Sequence, residues 1–149
     1  MRRGDTAREC GAKAEEYVKE QLSKFGEVKV VNVHFDLEFN GIPIEVKSAQ
    51  LAIKRTEMKP RCSGYGWRVD IAQYHHLLAK KPSYYALVIM VGKEIIYLAF
   101  ISSLEAVKHF SQNYESARIT RIRFDALYDF HCKKIEDFVE SVRKIGGSS

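Results

Sequence analysis

An Asn-Gly dipeptide between two short apolar segments is the feature of this sequence that most limits its fold. Asn40-Gly41 separates FDLEF, residues 35 to 39, from IPIEVKSA, residues 42 to 49. Asn-Gly favours the two-residue turns that join antiparallel strands, because both residues tolerate a positive φ. We therefore predict a β-hairpin here, and a third antiparallel strand in the β-branched segment VKVVNV, residues 28 to 33.

The hairpin carries charged residues in strands that are otherwise apolar. Alternate residues of a strand share a face, so Glu45 and Lys47 point to the same side, and Asp36 lies across the hairpin near Glu45. Two carboxylates held together repel each other unless a cation or a shared proton offsets their charge. Mg²⁺ takes carboxylate oxygens, backbone carbonyls and water as ligands. We predict that Asp36, Glu45 and the carbonyl of Val46 bind it, with Lys47 beside the metal-bound water and the substrate phosphate.

A helix precedes these strands. Thr6 begins a capping-box pattern, and apolar residues then recur at helical spacing until Gly26. Ala14 and Val18 lie on the buried side of this helix, and Glu15 lies at its margin, so Glu15 can approach the sheet. An ordinary solvated glutamate explains Glu15 equally well.

The remaining segments complete an α/β pattern. Residues 51 to 66 contain Pro60, Gly64 and Gly66 and predict a loop. The segments that follow predict, in chain order, a strand from Trp67, a helix with Asp70 as its N-cap that ends at Pro82, two strands joined at Gly92-Lys93, a helix over 104 to 110, a strand over 119 to 124 and a helix from about 125 to 145. The position of Gln73 in the second helix is the one indication that its side chain approaches the charged hairpin. The predicted fold is a mixed sheet flanked by helices.

Composition sets limits on the class of protein. A chain of 149 residues with 46% hydrophobic residues forms one ordinary globular domain. Its apolar runs are too short to cross a bilayer and its N-terminus lacks the apolar core of a secretion signal, so we expect a soluble cytoplasmic protein without a membrane partner. Three separated cysteines indicate neither a disulfide framework nor a zinc site. The net charge of +5 permits a polyanionic partner.

Basic residues cluster after the third strand. Only one acidic residue, Glu57, lies among them, and Tyr65 and Trp67 are interleaved. The cluster consists of Lys54, Arg55, Lys59, Arg61 and Arg68. Its place beside the predicted metal site favours contacts with DNA phosphates, which position DNA without reading its sequence. A mobile solvated loop remains the alternative.

The spacing of the charged residues resembles the PD-(D/E)XK nuclease superfamily. Asp36 is followed after eight residues by Glu45-Val46-Lys47, and the preceding helix carries Gly11 and Glu15. The resemblance implies a restriction-endonuclease-like αβββαβ core over about residues 6 to 91, with a β/α extension over about 92 to 145 and a frayed tail at 146 to 149. It also implies Mg²⁺-dependent hydrolysis of phosphodiester bonds. The aspartate and glutamate would be metal ligands. The lysine would orient or activate the attacking water and stabilise negative charge, and the helix glutamate would complete the catalytic site.

Within that superfamily, Gly-x-x-x-Glu and IEVK are most similar to archaeal Holliday-junction resolvases. The similarity implies a homodimeric endonuclease that cuts branched DNA in recombination or repair, with Mn²⁺ able to replace Mg²⁺. Aromatic residues of the extension either cover the sheet or form the dimer contact; they are Phe110, Tyr114, Tyr128, Phe130 and Phe138. A site-specific restriction or homing endonuclease, a catalytically silent nucleic-acid-binding module and a purely structural interaction protein remain alternatives.

Overall fold

The structure is a computed structural model that describes residues 3 to 53, 60 to 62, 66 to 111 and 117 to 146. Four α-helices and eight strands occur in these ranges. They are α1 (Arg3–Ser23), β1 (Val28–Val33), β2 (Phe35–Phe39), β3 (Ile42–Ile53), β4 (Pro60–Cys62), β5 (Gly66–Asp70), α2 (Ile71–Leu78), β6 (Tyr84–Val91), β7 (Glu94–Ser102), α3 (Ser103–Ala106), β8 (Ile119–Arg123) and α4 (Ile135–Gly146). Short 3₁₀ helices cover Val107–His109 and Phe124–Tyr128.

The main sheet is mixed, which confirms the predicted fold class. Its strands run in the order β1-β2-β3-β6-β7, and β4 pairs with the end of β3. Strand β2 is antiparallel to both β1 and β3, β3 and β6 are parallel, and β6 and β7 are antiparallel. The turn between β2 and β3 has φ of 48° at Asn40 and 84° at Gly41, as the Asn-Gly dipeptide predicts. Strands β5 and β8 form a separate two-stranded ribbon.

Apolar side chains cover both faces of the main sheet. On one face, α1 and α4 supply Val18 and Phe138 to a cluster that includes Ile44 of β3. On the other face, α2 and the β5/β8 ribbon contribute Tyr74 and Trp67. Strand β6 lies between these layers, and its six central residues are buried, which explains its uninterrupted apolar sequence.

Strand β3 continues beyond the predicted hairpin. Residues 51 to 66 were predicted to form a loop, but Leu51 pairs with Cys62 and Ile53 pairs with Pro60. The apolar run after Gln50 extends the strand, and Pro60 begins a short partner strand, where a missing N–H is tolerated. The loop prediction was therefore wrong for residues 51 to 53 and 60 to 62. Residues 54 to 59 and 63 to 65 lie outside the described part of the chain.

Two predicted helix boundaries were also wrong. Helix α1 begins at Arg3, so Thr6 lies within the helix and is not its N-cap. The predicted C-terminal helix from about 125 to 145 is divided, because the 3₁₀ helix ends at Tyr128 and α4 begins only at Ile135. Between them, the Asp129 side chain accepts a hydrogen bond from the backbone of His131, and such local bonds compete with helix formation. Asp70 does cap α2, as predicted, by accepting a hydrogen bond from the backbone N–H of Gln73.

Aromatic residues of the extension divide between core and surface. Phe110 and Phe138 are buried, whereas Tyr128 is 91% exposed and Phe130 is 84% exposed. Tyr114 lies outside the described residues.

No helix in the described part of the chain has the length and apolarity needed to cross a membrane.

Candidate active site

The hairpin opens at Asp36, where β2 separates from β3. Strand pairing between them runs from Leu37↔Ile44 to Phe39↔Ile42. Beyond this ladder, Asp36 Oδ2 accepts a hydrogen bond of 2.8 Å from the backbone N–H of Val46. The carboxylate thus satisfies an N–H of β3, which fixes the position of the Asp36 side chain. The predicted metal contact through the Val46 carbonyl stays a prediction.

Glu45 and Lys47 lie beside Asp36, as the alternation of β3 predicts. Lys47 Nζ is 3.3 Å from Glu45 Oε2, and the side chains of Lys47 and Glu45 are 19% and 11% exposed. Glu45 also forms a side-chain hydrogen bond with Asp36. The hairpin therefore brings together a lysine and two carboxylates, the set that the sequence predicted.

Burial and a neighbouring carboxylate make Glu45 an unusually weak acid. Burial first, and then the hydrogen bond with Asp36, raise the pKa of Glu45 to about 8, although the positive charge of Lys47 acts in the opposite direction. At neutral pH the metal-free protein therefore keeps a proton on Glu45, and that proton offsets the repulsion between the carboxylates. A divalent cation can take over this role only by displacing the proton.

A cleft opens over these residues. Its volume is about 250 Å³, and it is lined by Asn32, His34, Phe35, Asp36, Glu45 and Gln73. The prediction that Gln73 approaches the hairpin is confirmed: its Nε2 donates to the His34 carbonyl at 2.7 Å. Its Oε1 is buried and accepts no hydrogen bond from the described residues. An unpaired buried acceptor beside two carboxylates suits a hydrated cation, because metal-bound water donates hydrogen bonds.

The backbone around the cleft mouth is irregular. Asn32 and His34 have φ of 53° and 70°, values that few residues other than glycine adopt. The pairing of β1 with β2 shifts between Val30 and Val33, at the same place. Bulges and left-handed residues are enriched near functional sites, because they direct side chains or carbonyls that a regular strand would not. Here the irregularity presents the His34 carbonyl to Gln73.

Glu15 approaches Asp36 but does not join the carboxylate pair. Burial first, then the negative charge of Asp36, raise the pKa of Glu15. However, the carboxylates of Glu15, Asp36 and Glu45 do not all lie within 4.8 Å of one another. Glu15 therefore affects the electrostatic environment of Asp36, and its predicted part in catalysis stays a prediction.

Among the residues predicted to contact DNA, the structure describes the side chain of Arg68 alone. Lys54, Arg55, Lys59 and the side chain of Arg61 lie outside the described residues. Arg68 is exposed on β5 and pairs across the ribbon with Arg121 of β8. Sequence reasoning did not select Arg121, because a pairing between residues 53 positions apart leaves no local signal.

Sequence reasoning also missed a second group of ionisable residues. Glu105, Asp129 and His131 place one ligand atom each within 4.8 Å of the other two. Their spacing in the sequence matches no metal-binding motif, because α3 and the turn after Tyr128 meet only in the folded chain. No member of this group lines the cleft at Asp36.

Comparison with known proteins assigns no relative. No family model matches the chain, and no curated protein is similar enough to be identified as a relative. The function must therefore be inferred from the chemistry of the site.

Proposed function

We propose that this protein is a Mg²⁺-dependent endonuclease that hydrolyses phosphodiester bonds in DNA. The observation that carries the proposal is the contact of Asp36 with Glu45 beside Lys47, in a cleft where two strands separate. Carboxylates in such contact need a proton or a cation, and the site offers acceptors for a hard divalent ion. A structural protein would gain nothing from this arrangement, since burying ionisable groups is costly.

The residues of the chain have distinct roles in this proposal. Asp36, Glu45 and the carbonyl of Val46 would hold Mg²⁺ or Mn²⁺, which would supply an activated water and offset negative charge on the phosphate. Lys47 Nζ lies 3.3 Å from Glu45 Oε2 and would place a positive charge where the phosphate becomes more negative. Gln73 offers Oε1 to a water in the cleft. Glu15 adds negative charge near Asp36 from α1.

DNA is the polyanion we propose as substrate. The net charge of the chain is +5, and the exposed Arg68 lies opposite Arg121 on the ribbon that leads into α2. An exposed arginine can donate hydrogen bonds to phosphate oxygens, so Arg68 is a candidate phosphate contact. The basic residues from Lys54 to Arg61 would add further phosphate contacts.

Branched DNA is the preferred substrate class, and the protein would act in the cytoplasm as a homodimer. One catalytic site attacks one strand, so cutting two arms of a junction needs two sites related by a two-fold axis. Phe110 and Phe138 are buried in the monomer, which leaves Tyr128 and Phe130 as the exposed aromatic residues of the described extension available for a dimer contact. Site-specific cleavage of linear duplex is the second candidate.

Cleavage by purified protein tests the chemistry. DNA should be cut with Mg²⁺ or Mn²⁺ and remain intact in excess chelator. Asp36→Ala, Glu45→Ala and Lys47→Ala should each abolish cutting, whereas Glu38→Gln, which removes a carboxylate from the hairpin outside the cleft lining, should retain it. Cutting in excess chelator, or full activity in all three alanine variants, would refute the proposal. Binding of DNA without Mg²⁺ binding by calorimetry would favour the catalytically silent module.

Parallel digestion of four substrates tests the substrate class. A four-way junction, a flap, a nicked duplex and a mixed-sequence linear duplex should be compared at equal concentration with Mg²⁺. We expect paired cuts in the junction and little cutting of the linear duplex. Discrete cutting of linear duplex at one sequence, without preference for the junction, would replace branched-DNA specificity by site-specific cleavage and leave the chemistry unchanged.

A further inference from the structure

Three metal-ligating side chains meet outside the lining of the candidate active site. Glu105 comes from α3, whereas Asp129 and His131 belong to the turn that follows the second 3₁₀ helix. His131 Nδ1 lies 3.0 Å from Asp129 Oδ1 and 3.5 Å from Glu105 Oε2. One imidazole nitrogen thus faces two carboxylates from different segments.

Two of the three separations between these atoms are close to those between the ligands of a small metal ion. Zn²⁺ binds nitrogen and oxygen at about 2.0 to 2.1 Å, so neighbouring ligands of a tetrahedral site lie about 3.3 Å apart. The measured separations of 3.0 Å and 3.5 Å fall on either side of that value. A cation between these three side chains would therefore require little movement of their ligand atoms.

A second histidine holds one of the carboxylates in place. His109 Nε2 lies 2.6 Å from Asp129 Oδ2, and the His109 side chain is only 15% exposed. This hydrogen bond first, and then the one from the His131 backbone, lower the pKa of Asp129 to about 2. One oxygen of Asp129 contacts His109, and the other faces His131. Outer histidine–carboxylate contacts of this kind orient ligands in metal sites.

We propose that Glu105, Asp129 and His131 form a Zn²⁺ site that is separate from the candidate active site. An imidazole nitrogen together with carboxylates selects Zn²⁺ over Mg²⁺, which prefers oxygen ligands alone. Three protein ligands leave one tetrahedral position for water, and His131 is 51% exposed, so water can reach it. The ion would link α3 to the turn before α4. Because it would bind the folded state and not the unfolded chain, it would stabilise the fold.

An ion-pair network is the ordinary interpretation of the same residues. Lys108 Nζ lies 2.6 Å from Glu105 Oε2, so an ammonium already neutralises one carboxylate. The Lys108 side chain is 60% exposed and can move into water at little cost. In a metal site, Lys108 would compete with Zn²⁺ for this oxygen of Glu105. Removing the Lys108 charge should then strengthen Zn²⁺ binding, which a closed network of ion pairs does not predict.

Metal titration of the full chain tests the proposal. The protein carries Asp36→Ala and Glu45→Ala, so that the candidate active site contributes no binding and the result does not depend on nuclease activity. Binding of Zn²⁺ is measured by calorimetry, and Co²⁺ replaces it for the absorption bands that report tetrahedral coordination. His131→Ala is the test variant, because a substitution at Asp129 would also alter the hydrogen bond with His109. The matched control is His75→Ala, an exposed histidine on α2.

We expect one equivalent of Zn²⁺ to bind and to raise the melting temperature. His131→Ala should weaken binding by at least about tenfold and remove the thermal shift, whereas His75→Ala should change neither. Lys108→Met should bind Zn²⁺ more tightly. Absence of saturable binding, or equal affinity in His131→Ala and its parent, would overturn the site. Unchanged or weaker binding in Lys108→Met would remove Glu105 from the ligand set and overturn the site as proposed.

Discussion

The carboxylate of Asp36 on β2 accepts a hydrogen bond from the backbone N–H of Val46 on β3, at 2.8 Å. The bond lies just beyond the regular pairing of the two strands, where the Asp36 side chain takes the place of a carbonyl as acceptor. Asp36 therefore contributes to the hairpin as well as to the proposed metal site. Substitutions that separate these contributions are more informative than the removal of the whole side chain.

Asp36→Ala and Asp36→Asn should differ in stability but not in activity. Asparagine keeps an oxygen that can accept from Val46, whereas alanine leaves that N–H without its partner, at a cost of about 1 to 3 kcal/mol. Urea unfolding should therefore give a larger free energy of unfolding for Asp36→Asn than for Asp36→Ala. Both should lose Mg²⁺-dependent cleavage, because the amide is a poorer ligand than a carboxylate. Equal stability of the two variants would show that the hydrogen bond to Val46 contributes little.

Glu45 should make the stability of the metal-free protein depend on pH. Its pKa is raised from 4.5 to about 8, so the protonated carboxyl stabilises the folded state most below about pH 4.5. That contribution is lost progressively as the pH rises to about 8. Relative to Glu45→Gln, whose amide does not titrate, the wild type should lose stability over this range in urea unfolding with chelator present.

Saturating Mg²⁺ should reduce this pH dependence, because the cation replaces the proton between the carboxylates. Metal binding at pH 7 should accordingly release a proton, which calorimetry in buffers of different ionisation enthalpy detects. Parallel stability curves for wild type and Glu45→Gln in chelator would contradict the raised pKa of Glu45.

The basic residues should govern the salt dependence of DNA binding. Replacing Lys54, Arg55, Lys59 and Arg61 by glutamine should weaken binding and reduce the slope of log K against log salt by about 0.9 for each phosphate that the variant no longer neutralises. Arg68→Gln should have a smaller effect of the same kind. Lys144→Gln, on the exposed side of α4, is the control.

Asp36→Ala should bind DNA at least as well as the wild type, because it removes negative charge from the cleft. An unchanged slope in the four-residue variant would indicate that these four basic residues do not contact phosphates. A change of equal size in Lys144→Gln would indicate that the net charge of the protein, rather than a defined binding surface, determines the salt dependence of DNA binding.

Phe138 should be essential for stability although it lies in the extension. Its ring is fully buried and stacks on Phe100 with centroids 4.2 Å apart. Phe138→Ala should lower the free energy of unfolding by about 3 to 5 kcal/mol. Phe130→Ala is the control, because that ring is 84% exposed and should change stability by less than about 0.5 kcal/mol. A small loss in Phe138→Ala would mean that α4 contributes little to the core.

Local sequence patterns determined the elements whose partners lie nearby. Asn40-Gly41 was sufficient to predict the hairpin, since the turn brings adjacent segments together. The two-residue alternation of β3 then placed Glu45 and Lys47 on one face. Helix α2 and its cap at Asp70 followed from equally local signals.

Tertiary structure decided what depends on distant partners. The end of β3 became a strand because it pairs with β4. The pKa of Glu45 depends on burial by layers that the sequence does not place beside it. The contact of Glu105 with His131 likewise forms only when α3 meets the turn before α4. Periodicity reports which way a side chain points along its own element, whereas pairing, burial and electrostatic contacts arise from packing between elements.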